Sequence, residues 1–222
     1  MIMTVSDYQN LADLPAQLPV FPLDGALLLP GAGLPLNIFE PRYLNMIDDA
    51  MAGSRLIGMI QTVPGGPLQR PTLTAIGCAG RLTDYAETSD GRYVITLTGV
   101  CRFRVAEELA ALTPYRQVRA DFSAFALDLT ETDNPGVTID AALLSALRVY
   151  LERRGLSLDW KLAEQAPPDA LITSLAMGLP FEPASKQALL EAPTLRDRFE
   201  ALLALLRIDG ATEAGDGPGS LQ

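Results

Sequence analysis

Histidine is missing from all 222 residues. Its absence removes Ser-His-Asp and Cys-His nucleophilic mechanisms, imidazole general bases and most catalytic zinc sites. Cysteine is almost missing too. Cys78 and Cys101 are the only thiols, too few for a disulfide framework or a four-thiolate metal site. Each lies in an apolar, strand-like stretch, Ile76-Gly77-Cys78-Ala79 and Gly99-Val100-Cys101, where a small buried hydrophobe in a reducing compartment is the expectation. Lysine is reduced to Lys161, which follows Trp160, and Lys186, which follows Ser185. Neither makes the Gly-Lys-Ser/Thr of a P-loop, so no Walker-type ATPase is encoded in these residues.

Positive charge is also scarce. Lys and Arg total 17 against 27 Asp and Glu, a net charge of −10, which disfavours nucleic acid or an anionic membrane as a general partner. No long apolar run occurs. Ala26-Leu27-Leu28-Leu29 is ended by Pro30, and Ala201 to Leu206 is bounded by Glu200 and Arg207. Both fall far short of the ~20 residues of a membrane-spanning helix. The opening residues Met1 to Tyr8 carry neither a basic n-region nor an apolar h-region, so a cytoplasmic protein is the expectation.

What is present falls into two patterns. From Leu18 to Phe122, short apolar runs are broken by Gly, Pro and Asp. Leu18 to Leu23 reads as an edge strand, because its prolines cannot donate to a ladder. Further strands are predicted at Ala26–Leu29, Leu34–Phe39, Arg55–Thr62, Thr74–Thr83, Arg92–Thr98, Cys101–Val105 and Tyr115–Phe122, with a hairpin turn at Asp90-Gly91. Many short strands at close spacing indicate a small barrel or sandwich. One helix interrupts them: Tyr43, Met46, Ile47, Ala50 and Met51 recur at helical spacing between Pro41 and Gly53.

Beyond Thr138 the period becomes 3.6. Ile139, Leu143, Leu147, Tyr150 and Leu151 form one stripe, closed by Arg153-Arg154-Gly155. Leu195, Phe199, Leu202, Leu203 and Leu206 form another, with Thr194 and Asp197 as an N-cap arrangement. Shorter helices are predicted at Leu158–Gln165, Pro168–Gly178 and Ala184–Glu191. The polar stretch 123–137, containing Asp133-Asn134-Pro135-Gly136, reads as a linker. The Gly/Ala-rich 209–222 reads as a disordered tail.

Few constellations carry chemistry. Gly31-Ala32-Gly33 is a turn and not a dinucleotide fingerprint, since residue 36 is Leu36. The neighbours Asp48-Asp49 and Glu107-Glu108 diverge too widely to act as acid–base couples. Ser185 and Lys186 are the remaining candidates for a Ser–Lys hydrolase, although Ser at a helix start is ordinarily an N-cap. Arg102 and Arg104 alternate with Cys101, Phe103 and Val105, which puts them on the wet face of a half-buried strand, with anion binding as the functional alternative.

Several ordered segments resemble one family. Leu18-Pro19-Val20-Phe21-Pro22-Leu23, then Leu29-Pro30-Gly31, then Leu34-Pro35-Leu36-Asn37-Ile38-Phe39-Glu40-Pro41-Arg42-Tyr43 are similar to the opening of the Lon protease N-terminal domain. Ile76-Gly77-Cys78-Ala79, Gly91-Arg92-Tyr93 and Gly99-Val100-Cys101-Arg102-Phe103-Arg104 resemble its later strand segments. Leu179-Pro180 with Ser185 to Glu191 resembles its helical portion. The resemblance covers about residues 18 to 208. It implies an α+β fold: a PUA-like small β-barrel over 18–122, after an N-terminal extension 1–17, and a C-terminal helical bundle over 138–208.

It also implies a binding module for unfolded or tagged polypeptides. The sequence departs from an ATP-dependent protease in carrying no Walker A, so neither the ATPase nor the peptidase part is expected in these residues, and no enzymatic activity, cofactor or metal is expected with them. The alternatives are an adaptor docking on a Lon-type protease and a cryptic Ser-Lys hydrolase. Glu40, Arg42 and Tyr43 fall at a strand-to-helix junction. There Glu40 suits the helix dipole and Arg42 is expected to pair with a carboxylate across the barrel. The competing reading is contact with a client or partner, for which Phe39, Arg42, Tyr43, Arg102 and Arg104 are the candidates.

Overall fold

The computed structural model describes residues 7–65, 67, 69–130 and 137–211. Among the described residues six strands, interrupted by one α-helix, are followed by five further α-helices in an α+β arrangement, and the chain divides into two compact units. The first takes residues 7–130 together with Leu179–Leu190. The second takes 137–178 together with 191–211. Leu179–Leu190, inside the span expected to belong to the helical bundle, thus groups with the strands.

In the first unit the strands are β1 (Gln17–Pro22), β2 (Gly33–Ile38), β3 (Leu56–Ile60), β4 (Ile76–Glu87), β5 (Tyr93–Leu109) and β6 (Arg116–Asp121). Their order is β2-β5-β4-β3-β1-β6, and a further β5–β6 pairing closes β5, β4, β3, β1 and β6 into a barrel. Closure overturns the expectation that β1 lies at an edge. It runs antiparallel to β6 through Gln17–Val20 and parallel to β3 through Val20–Pro22. Its prolines fit because it changes partner at Val20: Pro19 is laddered only to β6 and Pro22 only to β3.

The two strands expected over 92–98 and 101–105 are one 17-residue strand, β5. Gly99 does not break it. That residue lies beside the isolated bridge from Pro30, where a Cβ would stand 2.1 Å from the Leu29 carbonyl oxygen. Register shifts at Ala79/Gly80, Leu82/Asp84 and Val105/Glu107 bend the long strands around the barrel. The expected strand Ala26–Leu29 is irregular backbone. Apolar character alone suggests a strand there, but all three leucines are fully buried as core plugs rather than ladder residues.

Helix α1 (Pro41–Ala52) has Pro41 in its first turn, Glu40 as N-cap and Gly53 as C-cap. It buries Tyr43, Met46, Ile47 and Ala50. The predicted linker also needs correction. Ser123–Leu129 is a 3₁₀ segment that buries Phe125, and only its continuation through Asp133-Asn134-Pro135-Gly136 lies outside the described residues. Helix α5 (Pro183–Glu191) is bonded to the strands through Gln61. That side chain donates to the Pro183 carbonyl and to Gln187 at 3.0 Å each, while Gln187 donates to the Ile76 carbonyl at 3.1 Å.

The second unit comprises α2 (Ala141–Arg154), α3 (Trp160–Gln165), α4 (Pro168–Gly178) and α6 (Leu195–Ala211). Asp140 caps α2 by accepting the Leu143 N–H at 2.8 Å, so Ile139 precedes the helix and the buried stripe starts at Leu143. Gly155 ends α2 in the left-handed conformation, φ 62°. Thr194 and Asp197 exchange bonds at the start of α6, 3.0 Å and 3.1 Å. Leu202 and Leu206 are the fully buried leucines of α6, which packs on α2 and α4. It continues to Ala211, past the expected boundary at 208; residues 212–222 of the expected tail lie outside the described residues.

Candidate functional site

One end of the barrel opens into a cleft of about 390 Å³. Five segments build it: the end of β1 with the turn after it, the start of α1, Thr62 just after β3, the stretch around Arg70, and the loop joining β5 to β6. Proline at position 41 starts α1, which sets Arg42 and Tyr43 in its first turn. The Tyr43 ring packs on Phe21 with centroids 4.3 Å apart, and burial raises its phenol pKa. Arg42 lies over that ring, 4.6 Å from the centroid. Its carboxylate partner is Glu40, two residues earlier, at 2.7 Å, and not a residue across the barrel. The reason is local: a two-residue spacing across the cap brings the side chains together before any other strand is in reach.

The opposite wall is organised by Glu108. Arg116 donates to it from Nε and Nη2, at 2.9 Å and 2.5 Å, and from Nη1 to the Pro71 carbonyl at 2.7 Å. Arg70 also donates to Glu108, from Nε at 3.1 Å and from Nη2. Two guanidinium groups, Arg116 foremost, hold the Glu108 carboxyl below its ordinary range. Tyr115 donates to Asp49 of α1 at 2.7 Å. Burial first and that carboxylate second push its phenol up to about 12. Asp24 accepts both the N–H and the hydroxyl of Thr62, at 2.7 Å and 2.9 Å, which fixes the turn after β1.

The lining is therefore mixed: Pro22, Pro71, Leu109 and Pro114 supply apolar surface, the largely buried Tyr43 and Tyr115 aromatic surface, and Arg42, Arg70 and Arg116 guanidinium groups. Leu112, wholly exposed, stands on the loop that forms one lip. Such a surface can hold a side chain and its backbone by apolar contact plus hydrogen bonds.

Of the five candidate residues, only Arg42 and Tyr43 reach the cleft. Phe39 is 62% exposed, beside Arg92 (5.9 Å from guanidinium to ring centroid). Arg104 is exposed on β5 opposite Asp121 of β6. Arg102 is buried, contrary to the wet-face expectation. It donates to both carboxylate oxygens of Asp128 at 2.8 Å and to the Leu190 carbonyl at 3.1 Å. The 3₁₀ segment Ser123–Leu129 and the end of α5 cover this strand, a long-range event that strand alternation cannot reveal. Ser185 is not the N-cap of α5, which starts at Pro183, and Lys186 beside it is buried, with desolvation lowering its pKa.

Arg70, Glu108, Arg116, Tyr115 and Asp24 do not stand out in the sequence. A signal exists for two of them. In the β5–β6 ladder Glu108 opposes Val118, so Arg116 stands diagonally across the hairpin, the ordinary position of a cross-strand ion pair.

A closed five-stranded barrel with an appended strand, an inserted helix and following helices defines a PUA-like α+β domain. Residues 17–207 match the family described as the ATP-dependent protease La (LON) substrate-binding domain, and the chain belongs to that family. Lon protease 2 of Myxococcus xanthus is 27% identical over 211 residues, covering 89% of this chain and 24% of that protein. The Lon protease of Roseiflexus castenholzii is 24% identical over 205 residues, 89% of this chain and 25% of that protein. The chain thus spans about a quarter of the length of these relatives. The crystal structure of a Lon N-terminal domain protein from Xanthomonas campestris superposes with a TM-score of 0.58 at 28% identity, over 85% of this chain and 97% of that one. The N-terminal domain of a Mycobacterium avium complex Lon protease shares the fold, with a TM-score of 0.55 at 16% identity, over 89% of this chain and 99% of that one. Among the described residues, no helix is long and apolar enough to cross a membrane.

Proposed function

We propose that these residues form a passive, cytoplasmic polypeptide-holding module that binds exposed segments of client proteins without performing chemistry on them. The observation that carries this reading is the barrel-end cleft, whose lining combines apolar residues and two tyrosines with three arginines. That composition suits a peptide, with its repeating carbonyls and apolar side chains, better than a small polar metabolite or a nucleic acid. Family membership supports the same class of ligand. No P-loop lies in the sequence, so binding is reversible and independent of ATP. Affinity is modest, about micromolar, or roughly −8 kcal/mol.

The test is fluorescence anisotropy with labelled apolar-rich peptides, with and without ATP-Mg, at two salt concentrations. Saturable binding that is unchanged by ATP and weakened several-fold by Leu109→Asp, in a variant that keeps its circular dichroism, supports the module. ATP dependence, binding confined to RNA, or peptide cleavage above a Ser185→Ala/Lys186→Ala control overturns it. Failure to bind any peptide, with stoichiometric capture of an intact Lon-type protease, replaces it with the adaptor.

A further inference from the structure

Among the described residues strand β2 is the one strand of the sheet outside the closed barrel, and β5 is its one ladder partner. The phase of its ladder is fixed by one bond. Gly99 N–H donates to the Ala32 carbonyl at 2.9 Å, and the register that pairs Gly33 with Thr98 also pairs Ala32 with Gly99. In an antiparallel ladder hydrogen-bonded and non-bonded pairs alternate. Leu34, Leu36 and Ile38 therefore turn their N–H and C=O groups toward β5, while Gly33, Pro35 and Asn37 turn theirs outward. None of these three residues has a hydrogen bond of its outward groups to another described residue, and all three are exposed. Pro35 occupies a place where an N–H would point away from the ladder, which is why a proline is accommodated in the middle of β2. The free edge thus offers two N–H donors, at Gly33 and Asn37, and three carbonyl acceptors, at Gly33, Pro35 and Asn37. Like groups repeat about every 6.7 Å, twice the rise of a strand residue.

From this edge we infer a second binding site of the polypeptide-holding module: an extended client segment adds to β2 as a further strand, bonded through its backbone. The inference rests on the function proposed above and names how the client is held. A repeat of backbone donors and acceptors at two-residue spacing is matched by an extended chain and by no other common ligand geometry. Pro35 decides the occupant. If a second copy paired with β2 antiparallel, with Gly33 opposite Asn37, Pro35 would face Pro35 and each outward carbonyl would meet a proline nitrogen that carries no proton, so the central pair would form neither of its two bonds. A client with an ordinary residue at that position supplies the missing N–H. The flanks select the client's side chains. Val94, laddered to Asn37 and 45% exposed, lies on one face of the edge, and the half-buried Leu34 and Leu36 lie on the other. Clients with apolar residues at alternate positions, and without proline opposite Gly33, Pro35 or Asn37, fit best.

The experiment compares three seven-residue peptides of identical side chains: one unmodified, one N-methylated at two adjacent central residues, and one N-methylated at two central residues spaced by one. Methyls on adjacent residues block both edges of the peptide, whereas methyls on alternate residues leave one edge intact. The expected result is a loss of affinity of about tenfold or more for the adjacent pattern, with the alternate pattern within about threefold of the parent. Amide hydrogen exchange on the unmodified protein supplies the second readout. Gly33 and Asn37 gain protection on peptide binding, and Leu34 and Leu36, already bonded to β5, change little. Asn37→Pro, which removes an outward donor and no β5 bond, weakens binding several-fold. Equal affinity for the two methylated peptides, or Gly33 and Asn37 amides already protected in the free protein, overturns strand addition. Peptide binding that persists through Leu109 in that event leaves the cleft reading standing, whereas no binding of any peptide removes both.

Discussion

Arg102 and Asp128 form a nearly solvent-free ion pair, their side chains 6% and 9% exposed, with two guanidinium bonds of 2.8 Å to the two carboxylate oxygens. The same carboxylate accepts the Arg102 backbone N–H at 3.0 Å, and the guanidinium lies 4.7 Å from the Phe125 ring centroid. The pair therefore pins the 3₁₀ segment Ser123–Leu129 to β5, and through the Leu190 carbonyl it reaches the end of α5.

Removing one partner strands the other as a buried charge. Asp128→Ala is expected to cost on the order of 3–5 kcal/mol of stability. The joint replacement Arg102→Met with Asp128→Leu is expected to cost clearly less, because no uncompensated charge remains. Urea unfolding of both variants checks the ordering; equal losses would show that the bonds to Leu190 and Phe125, rather than the charge pairing, dominate.

Much of the fold is legible in local signals. Pro41 and Gly53 bracket α1, Gly155 ends α2, and Thr194 with Asp197 opens α6; each acts through its own backbone neighbours, so sequence spacing suffices to find it. The departures are nonlocal. Barrel closure turns β1 from an edge into an interior strand, the core claims Leu27 to Leu29, and Arg102 is covered by a segment 26 residues further on. The cleft is half legible. Arg42 and Tyr43 belong to one contiguous motif, but Arg70, Glu108 and Arg116 meet only because β5 and β6 form a hairpin that carries Glu108 to the stretch holding Arg70.

Glu108 makes the cleft wall sensitive to acid. Its folded pKa lies below the ordinary 4.5, so its contribution to stability is fully present above that value and is lost as pH falls through the lower, folded one. Stability measured from pH 7 down to pH 3 is expected to fall less steeply in Glu108→Gln than in the unmodified protein, the two curves converging at the acid end. Parallel curves would mean that Arg70 and Arg116 gain nothing from this carboxylate.

Leu202 lies wholly buried on α6, whereas Leu203 beside it is half-buried. Leu202→Ala is expected to cost about 2–5 kcal/mol, through lost transfer energy and the cavity left behind. Leu203→Ala is expected to cost less. Thermal and urea midpoints of the pair decide it, and a Leu202→Ala midpoint within error of the unmodified protein would show that α6 does not bury this stripe.

Cys101 provides a chemical probe of barrel opening. Its side chain is fully buried on β5, with the carbonyls of Arg102 and Phe125, 3.3 Å and 3.4 Å away, as the acceptors within reach of its one S–H. Burial, reinforced by the Asp128 carboxylate, pushes its pKa up to about 12. At pH 8 the thiolate is then about one part in ten thousand, and the thiolate is the species that attacks a disulfide reagent. Cys78, on the neighbouring strand, is buried as well. Both thiols are therefore expected to react with a chromogenic disulfide far more slowly than free cysteine in the native protein, and at once in denaturant. The reaction rate should rise with urea below the unfolding midpoint, since each event requires strands β4 and β5 to open. Comparison with Cys101→Val, which keeps the apolar volume, assigns the signal to one site. One equivalent reacting at the rate of free cysteine in native buffer would show that a thiol is accessible without opening, and would contradict the closed barrel at this position.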